Sequence, residues 1–229
     1  MKVTSPAPIG HASLQLEAGE KLHVLHPKAI LAFQGAPYLR EDRFLDLAGM
    51  YRKKKWIKSV LEGPSTLLLG LPPGCSLLTV PIPEDSNLLF DYRHILYYTD
   101  GITMRSVIQK IKNAWITREF VRMRFSGPGQ VGVIMAGEMA VMQLEADRPL
   151  YVENGSLIAY PETASIRLAV YGNQLASQHM KVQWEITGSG PVLIQTGSQD
   201  TGLEEQLQSG GIVKRLLREV LPFGSVYIK

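Results

Sequence analysis

The feature that most constrains this chain is an internal repeat. Leu88–Arg105 (LLFDYRHILYYTDGITMR) and Leu150–Arg167 (LYVENGSLIAYPETASIR) align without a gap at an offset of 62. Leu88 meets Leu150, Ile95 meets Leu157, Tyr98 meets Tyr160 and Arg105 meets Arg167. A shorter segment, Leu25–Phe33, matches Val152–Tyr160, above all in its last four positions. A second motif recurs as EGPSTLLLG from Glu62, SGPGQVGVI from Ser126 and GSGPVLIQT from Gly188. Gly and Pro fix a turn, and the aliphatic run behind them favours an extended strand. Fixed-period self-similarity of this kind marks repeated supersecondary units that bury their faces against one another.

The expected architecture is therefore all-β: a β-sandwich or double-stranded β-helix-like fold with three pseudo-repeats, about 12–60, 61–124 and 125–202. The Gly-Pro strand at 190–196 has no partner downstream, so it is expected to pair back with the N-terminal unit. Two connectors, Arg43–Lys58 and Thr103–Thr117, carry helical spacing, for instance Val107, Ile108, Ile111 and Trp115, and predict short connector helices. Residues 203–229 form a tail in which Ile212, Val213, Leu216, Leu217, Val220 and Leu221 share one helical face. Ser209 is placed to cap this C-terminal amphipathic helix and Pro222 to stop it.

Composition narrows the function classes. At 229 residues, 45% hydrophobic and 20% charged, the chain is of ordinary globular type. Its one cysteine, Cys75, excludes an intrachain disulfide and a cysteine metal cluster. Met1–His11 lacks the apolar core of a signal peptide. The apolar runs near Leu67–Leu71 and Ser76–Val80 are cut by Pro72, Pro73 and Pro81 and fall short of the ~20 residues that span a bilayer. A cytoplasmic protein, peripheral to a membrane at most, is expected.

The formal net charge of +3 is unevenly spread. Arg52, Lys53, Lys54, Lys55 and Lys58 crowd together beside Tyr51 and Trp56. A second basic stretch holds Arg105, Lys110, Lys112, Arg118, Arg122 and Arg124. Cations mixed with aromatic rings suit an anionic membrane surface, and the same groups suit RNA, with phosphates on the cations and bases stacked on Tyr51 or Trp56. A solvated connector with Trp56 packed inward is the plainer alternative.

Catalytic patterns are absent from the sequence. No Gly-x-Ser-x-Gly, phosphate loop or dinucleotide fingerprint occurs. Cys75 in PPGCSLL has no activating neighbour and reads as a buried thiol. His23 and His26 are three apart, which argues against the His-x-His pair of a cupin-like metal enzyme. In the repeat alignment His26, Asp91 and Glu153 precede Ile30, Ile95 and Leu157 by four residues each. Convergence on a threefold axis would make them a one-His, two-carboxylate metal site; exposed turns would make them ordinary polar residues. No cofactor and no small-molecule substrate is implied.

Ser126, Gly127, Pro128 and Gly129, with Val152, Glu153, Asn154, Gly155, Ser156, Leu157, Ile158, Ala159 and Tyr160, carry a resemblance to a known family. Over roughly Leu14–Gly197 the chain resembles altered inheritance of mitochondria protein 24, a mitochondrial biogenesis family with many bacterial members. The resemblance implies a fold similar to that of the tryptophan RNA-binding attenuation protein, with repeated units and assembly as a homo-oligomer, a trimer by that analogy. It implies no catalytic residue. Its eukaryotic members are associated with the mitochondrial inner membrane, whereas this chain lacks their targeting segment. Pro27 and Lys28 stand where the third copy has Asn154 and Gly155. Together these readings point to a non-enzymatic scaffold or binding protein that self-associates at an anionic membrane surface, with an RNA-binding module as the alternative.

Overall fold

The computed structural model describes residues 1–4, 10–45, 56–107, 122–171 and 181–197. Within them the fold is all-β, as expected. A first run of strands comprises β1 (Lys2–Thr4), β2 (His11–Leu16), β3 (Lys21–Val24), β4 (Ile30–Gln34), β5 (Arg40–Leu45), β6 (Trp56–Glu62), β7 (Ser65–Gly70) and β8 (Cys75–Ile82). It is followed by β9 (Leu88–Asp91), β10 (Ile95–Thr99), β11 (Thr103–Val107), β12 (Arg122–Ser126), β13 (Gly129–Ala136) and β14 (Met139–Leu144). The last run is β15 (Leu150–Glu153), β16 (Leu157–Pro161), β17 (Ser165–Tyr171), β18 (Lys181–Thr187) and β19 (Gly190–Gln195).

The same local sequence of events occurs three times. A short strand (β3, β9, β15) leads into a 3₁₀ turn at Pro27–Ala29, Tyr92–His94 or Asn154–Ser156, and a five-residue strand follows (β4, β10, β16). Each of these second strands has a register irregularity at its second residue: Leu31, Leu96 and Ile158. Such a bulge bends the strand and strengthens its twist, and here it sits at one position in every copy.

Strand pairing is exchanged between copies. One six-stranded sheet runs β5-β6-β3-β10-β13-β8 and another runs β11-β12-β9-β16-β19-β14. In each, three strands of one copy meet two of the next, and the sixth strand returns from the first. A four-stranded sheet, β1-β2-β7-β4, and a three-stranded sheet, β15-β18-β17, complete the set. The pairs between β3 and β10, β10 and β13, β9 and β16, and β16 and β19 are all antiparallel. β19 pairs with β14 and β16, not with the N-terminal unit as its isolation in sequence suggested. The N-terminal β2 instead takes the sixth-strand role beside β7.

Three cores lie between these sheets. Leu14, Leu22, Val24, Leu61, Leu67, Leu96, Tyr97 and Ile134 form the first. Phe90, Ile95, Tyr98, Phe125, Val131, Val133 and Ile158 form the second. Leu89, Val152, Leu157, Tyr160, Trp184, Ile186 and Val192 form the third. Alternation along β13 sends Val131 and Val133 to one core and Ile134 and Ala136 to the other, so the sheet is buried on both faces.

The connector helices are corrected in part. Thr103–Val107 is a strand, so Val107 belongs to a β ladder; Arg43–Leu45 and Trp56–Lys58 likewise lie in β5 and β6. The spacing misled because period-3.6 matches arise by chance in short apolar strands. The rest of both connectors and the whole tail from 203 to 229 lie outside the described residues.

Candidate functional site

Two clusters of charged and aromatic side chains sit at matching places in the first two copies. Both arise where a cation on the strand before the Gly-Pro corner (β6 or β12) reaches an aromatic ring on the strand after the 3₁₀ turn (β10 or β16). Lys58 Nζ lies 5.6 Å from the Tyr98 ring centroid, and the Arg122 guanidinium lies 5.5 Å from that of Tyr160. Stacking of this kind gains from the ring quadrupole and is stronger where water is excluded.

In the first cluster Lys58 Nζ donates to the Tyr98 hydroxyl (3.1 Å) and faces His23 Nδ1 (3.4 Å). The His23 ring lies on Tyr98 with centroids 4.6 Å apart and planes 12° apart, because the two residues are opposite each other in the β3–β10 ladder. Its Nε2 faces Asp100 Oδ1 at 3.5 Å. Burial, then the Lys58 charge, push the imidazole pKa down, and Asp100 partly offsets them.

The second cluster is more deeply buried. Asp91 and Arg122 are opposite each other in the β9–β12 ladder, and Arg122 Nη1 lies 2.8 Å from Asp91 Oδ2. Arg93 adds a second guanidinium at 2.9 Å, and its backbone N–H donates to Asp91 Oδ1, capping the 3₁₀ turn. Burial pushes the carboxyl pKa up, and the Arg122 and Arg93 charges outweigh it, lowering the pKa to about 2. His94, fully buried next to this pair, donates from Nδ1 to the Ile134 carbonyl (2.9 Å).

The residues expected to meet at a threefold axis are not brought together as metal ligands; among the described residues no three His, Cys, Asp or Glu side chains are so placed. Asp91 is held by two guanidiniums, and Glu153 is exposed on β15. His26 packs against Tyr92, ring centroids 5.0 Å apart. The ladders also shift the alignment. Val24 faces Tyr97 and Phe90 faces Ala159, so Leu25 is the ladder equivalent of Asp91 and His26 is one residue extra before its turn. Of the basic–aromatic connector, Arg52, Lys53, Lys54 and Lys55 lie outside the described residues, Trp56 opens β6, and Lys58 belongs to the first cluster. From the second basic stretch, Arg122 is buried and Arg124 is paired with Glu162 at 2.6 Å. Cys75 is buried, and burial raises its thiol pKa.

His23, His26 and His94 share one consequence of burial. In each, desolvation is the largest cause lowering the pKa from the ordinary 6.5. The unfolded chain then takes up these protons first as pH falls. Stability is intact above about pH 6.5 and declines as the medium is acidified through the interval below it. Thermal unfolding between pH 7.5 and 5 is expected to show a falling Tm, with a shallower slope in His94→Asn. An unchanged slope in that variant would remove His94 from the account.

Sequence reading missed both clusters as units. The available signal was the pairing of Tyr98 with Tyr160 and the place of Lys58 and Arg122 five residues before Gly63 and Gly127.

Comparison with known proteins gives the fold context. No match is found among curated proteins. The crystal structure of protein SPYM3_0169 from Streptococcus pyogenes is similar, with a TM-score of 0.63 and 14% sequence identity, over 93% of this chain and 98% of that one. At that identity the likeness shows the fold alone. Among the described residues no helix is long and apolar enough to cross a membrane. Residues 8–197 match the model of the family described as Mitochondrial biogenesis AIM24, and the chain belongs to that family.

Proposed function

We propose that the chain is a non-enzymatic scaffold or binding protein that self-associates through an exposed sheet edge at an anionic membrane surface. The family is not known as one of enzymes. The observation that carries self-association is β14. Among the described residues it ends its sheet with β19 as its one ladder partner, and Val141 and Met142 on it are 53% and 47% exposed. The strands in the same role are protected: β2 is covered by β1, and β8 carries Pro81, which has no N–H to offer a further strand. An uncovered apolar edge is a template for pairing with another chain. The membrane part rests on the basic connector with Trp56, whose cations and ring match a headgroup layer.

Light scattering across a concentration series is expected to show a homo-oligomer, converted to monomer by Val141→Lys with Met142→Lys. A native chain that stays monomeric throughout ends this reading. Flotation with vesicles is expected to retain the chain only when anionic lipid is present. Equal, negligible retention on both vesicle types ends the membrane part, and a salt-dependent shift of single-stranded RNA alongside it would favour RNA binding instead.

A further inference from the structure

The exchange of strands between successive copies breaks off at a seam between β4 and β15. In the first six-stranded sheet β10 has β3 on one side and β13 on the other; in the second, β16 has β9 and β19. Among the described residues, the equivalent strand β4 has β7 on one side and no ladder partner on the other, and β15 likewise has β18 alone. These are the two ends of what would be a third six-stranded sheet, β17-β18-β15 followed by β4-β7-β2, in the strand order of the other two.

Burial follows the pairing. Leu96 and Ile158, the bulged residues of β10 and β16, are fully buried, each within the core of the preceding copy. Leu31, the bulged residue of β4, is 62% exposed. On the other side of the seam Tyr151 is 54% exposed, whereas Leu89, its counterpart on β9, is fully buried. Two exposed apolar side chains, and two backbone edges without a ladder partner among the described residues, thus mark this seam.

The intact copies fix what would fit. Tyr98 faces His23 and Thr99 faces Leu22; Tyr160 faces Leu89 and Pro161 faces Leu88. Carried through the repeat, this register sets Gln34 opposite Leu150, Phe33 opposite Tyr151 and Ala32 opposite Val152. Phe33 and Tyr151 then stand where His23 stacks on Tyr98.

We propose that the seam closes within one chain: β4 and β15 pair antiparallel in this register, and Leu31 enters the core around Trp184. Pairing in cis is favoured over pairing between copies because both edges belong to one chain and meet at a high effective concentration. Closure gives every copy the same two-sided strand and removes two edges on which other chains could pair. The device is a pair of edges that can be open or joined, separate from the β14 edge proposed for self-association.

The single native cysteine makes the test clean. On a Cys75→Ser background, Phe33→Cys with Tyr151→Cys places thiols directly opposite, within the Cα separation a disulfide spans. Under mild oxidation this pair is expected to give a cross-linked monomer about tenfold faster than Phe33→Cys with Glu153→Cys, which is off register by two. Equal rates, no cross-link, or a cross-linked dimer overturns the proposal, the last by showing pairing between copies. Hydrogen exchange on the unsubstituted chain is a second reading independent of these variants. Protection of 30–34 comparable to that of 95–99 is expected, and exchange at the rate of an open edge overturns closure.

Discussion

Arg122→Ala is expected to lower the unfolding free energy by about 3–5 kcal/mol, as removing one partner of a buried ion pair does. The substitution leaves Asp91 buried on β9 with one of its two guanidiniums gone, and it strips the cation from the Tyr160 face. Arg93 does not replace it, because its side chain is 44% exposed and its attraction is correspondingly screened. Denaturant titration measures the loss. Removing both charges, with Asp91→Leu and Arg122→Met, is expected to recover much of it, since the penalty comes from the stranded carboxylate. The pH dependence has a definite sign. Asp91 has a folded pKa lowered to about 2 from 3.8, so the ionised pair contributes fully above 3.8 and its contribution is lost as pH falls through about 2. In Arg122→Ala the carboxyl protonates more readily, so the gap between variant and native chain narrows below about pH 4. A gap that is constant from pH 7 to 3 would mean that Asp91 is not the origin of the effect. The matching change in the first copy, Lys58→Met, is expected to cost under about 1 kcal/mol, because that cation is half-buried and faces a hydroxyl and an imidazole rather than a buried carboxylate.

That contrast also shows what the sequence discloses. The alignment of Tyr98 with Tyr160 and the recurrence of Gly-Pro were legible, because turn chemistry and strand alternation are local properties written in neighbouring residues. Which strand meets which was not. β13 reads as one apolar strand, yet its two faces serve different cores, and β8 leaves its own copy to pair with it. Periodicity reports faces, not partners. For the same reason Lys58 reads as one member of a basic surface run, although its ammonium is engaged by Tyr98, forty residues further on. His26 seemed equivalent to Asp91 because alignment by turn and alignment by ladder differ by one residue there. The open seam was beyond reach in sequence, since Ile30–Phe33 of β4 is as apolar and aromatic-ended as Ile95–Tyr98 of β10 and Leu157–Tyr160 of β16.

The Gly-Pro corners supply the second large effect. β12 belongs to one six-stranded sheet and β13 to the other, so the chain changes sheets within Gly127 and Pro128. It does so hard against the turn at Asp100–Ile102. Gly127 has φ +108°, and a Cβ there would stand 2.3 Å from the Gly101 carbonyl oxygen. Both the backbone conformation and the space exclude a side chain. The third copy places a glycine at the same corner, Gly188, followed by Ser189 rather than proline, with φ +138° and a Cβ position 3.1 Å from Ala164 Cα. Gly127→Ala is therefore expected to cost about 3 kcal/mol or more, combining a strained φ with a forced shift of packed backbone. Gly155→Ala is the internal control. Gly155 has no positive φ and nothing within 4 Å of a Cβ, so its change is expected to stay within about 0.5 kcal/mol. Denaturant midpoints of the two variants decide the matter. If Gly127→Ala unfolds with Gly155→Ala, the corner has room that this backbone does not show, and the sheet change does not depend on glycine. If it unfolds well before it, the corner is pinned by sterics, and the glycine that follows β6, β12 and β18 (Gly63, Gly127 and Gly188) is explained by the need to pass from one sheet to the next.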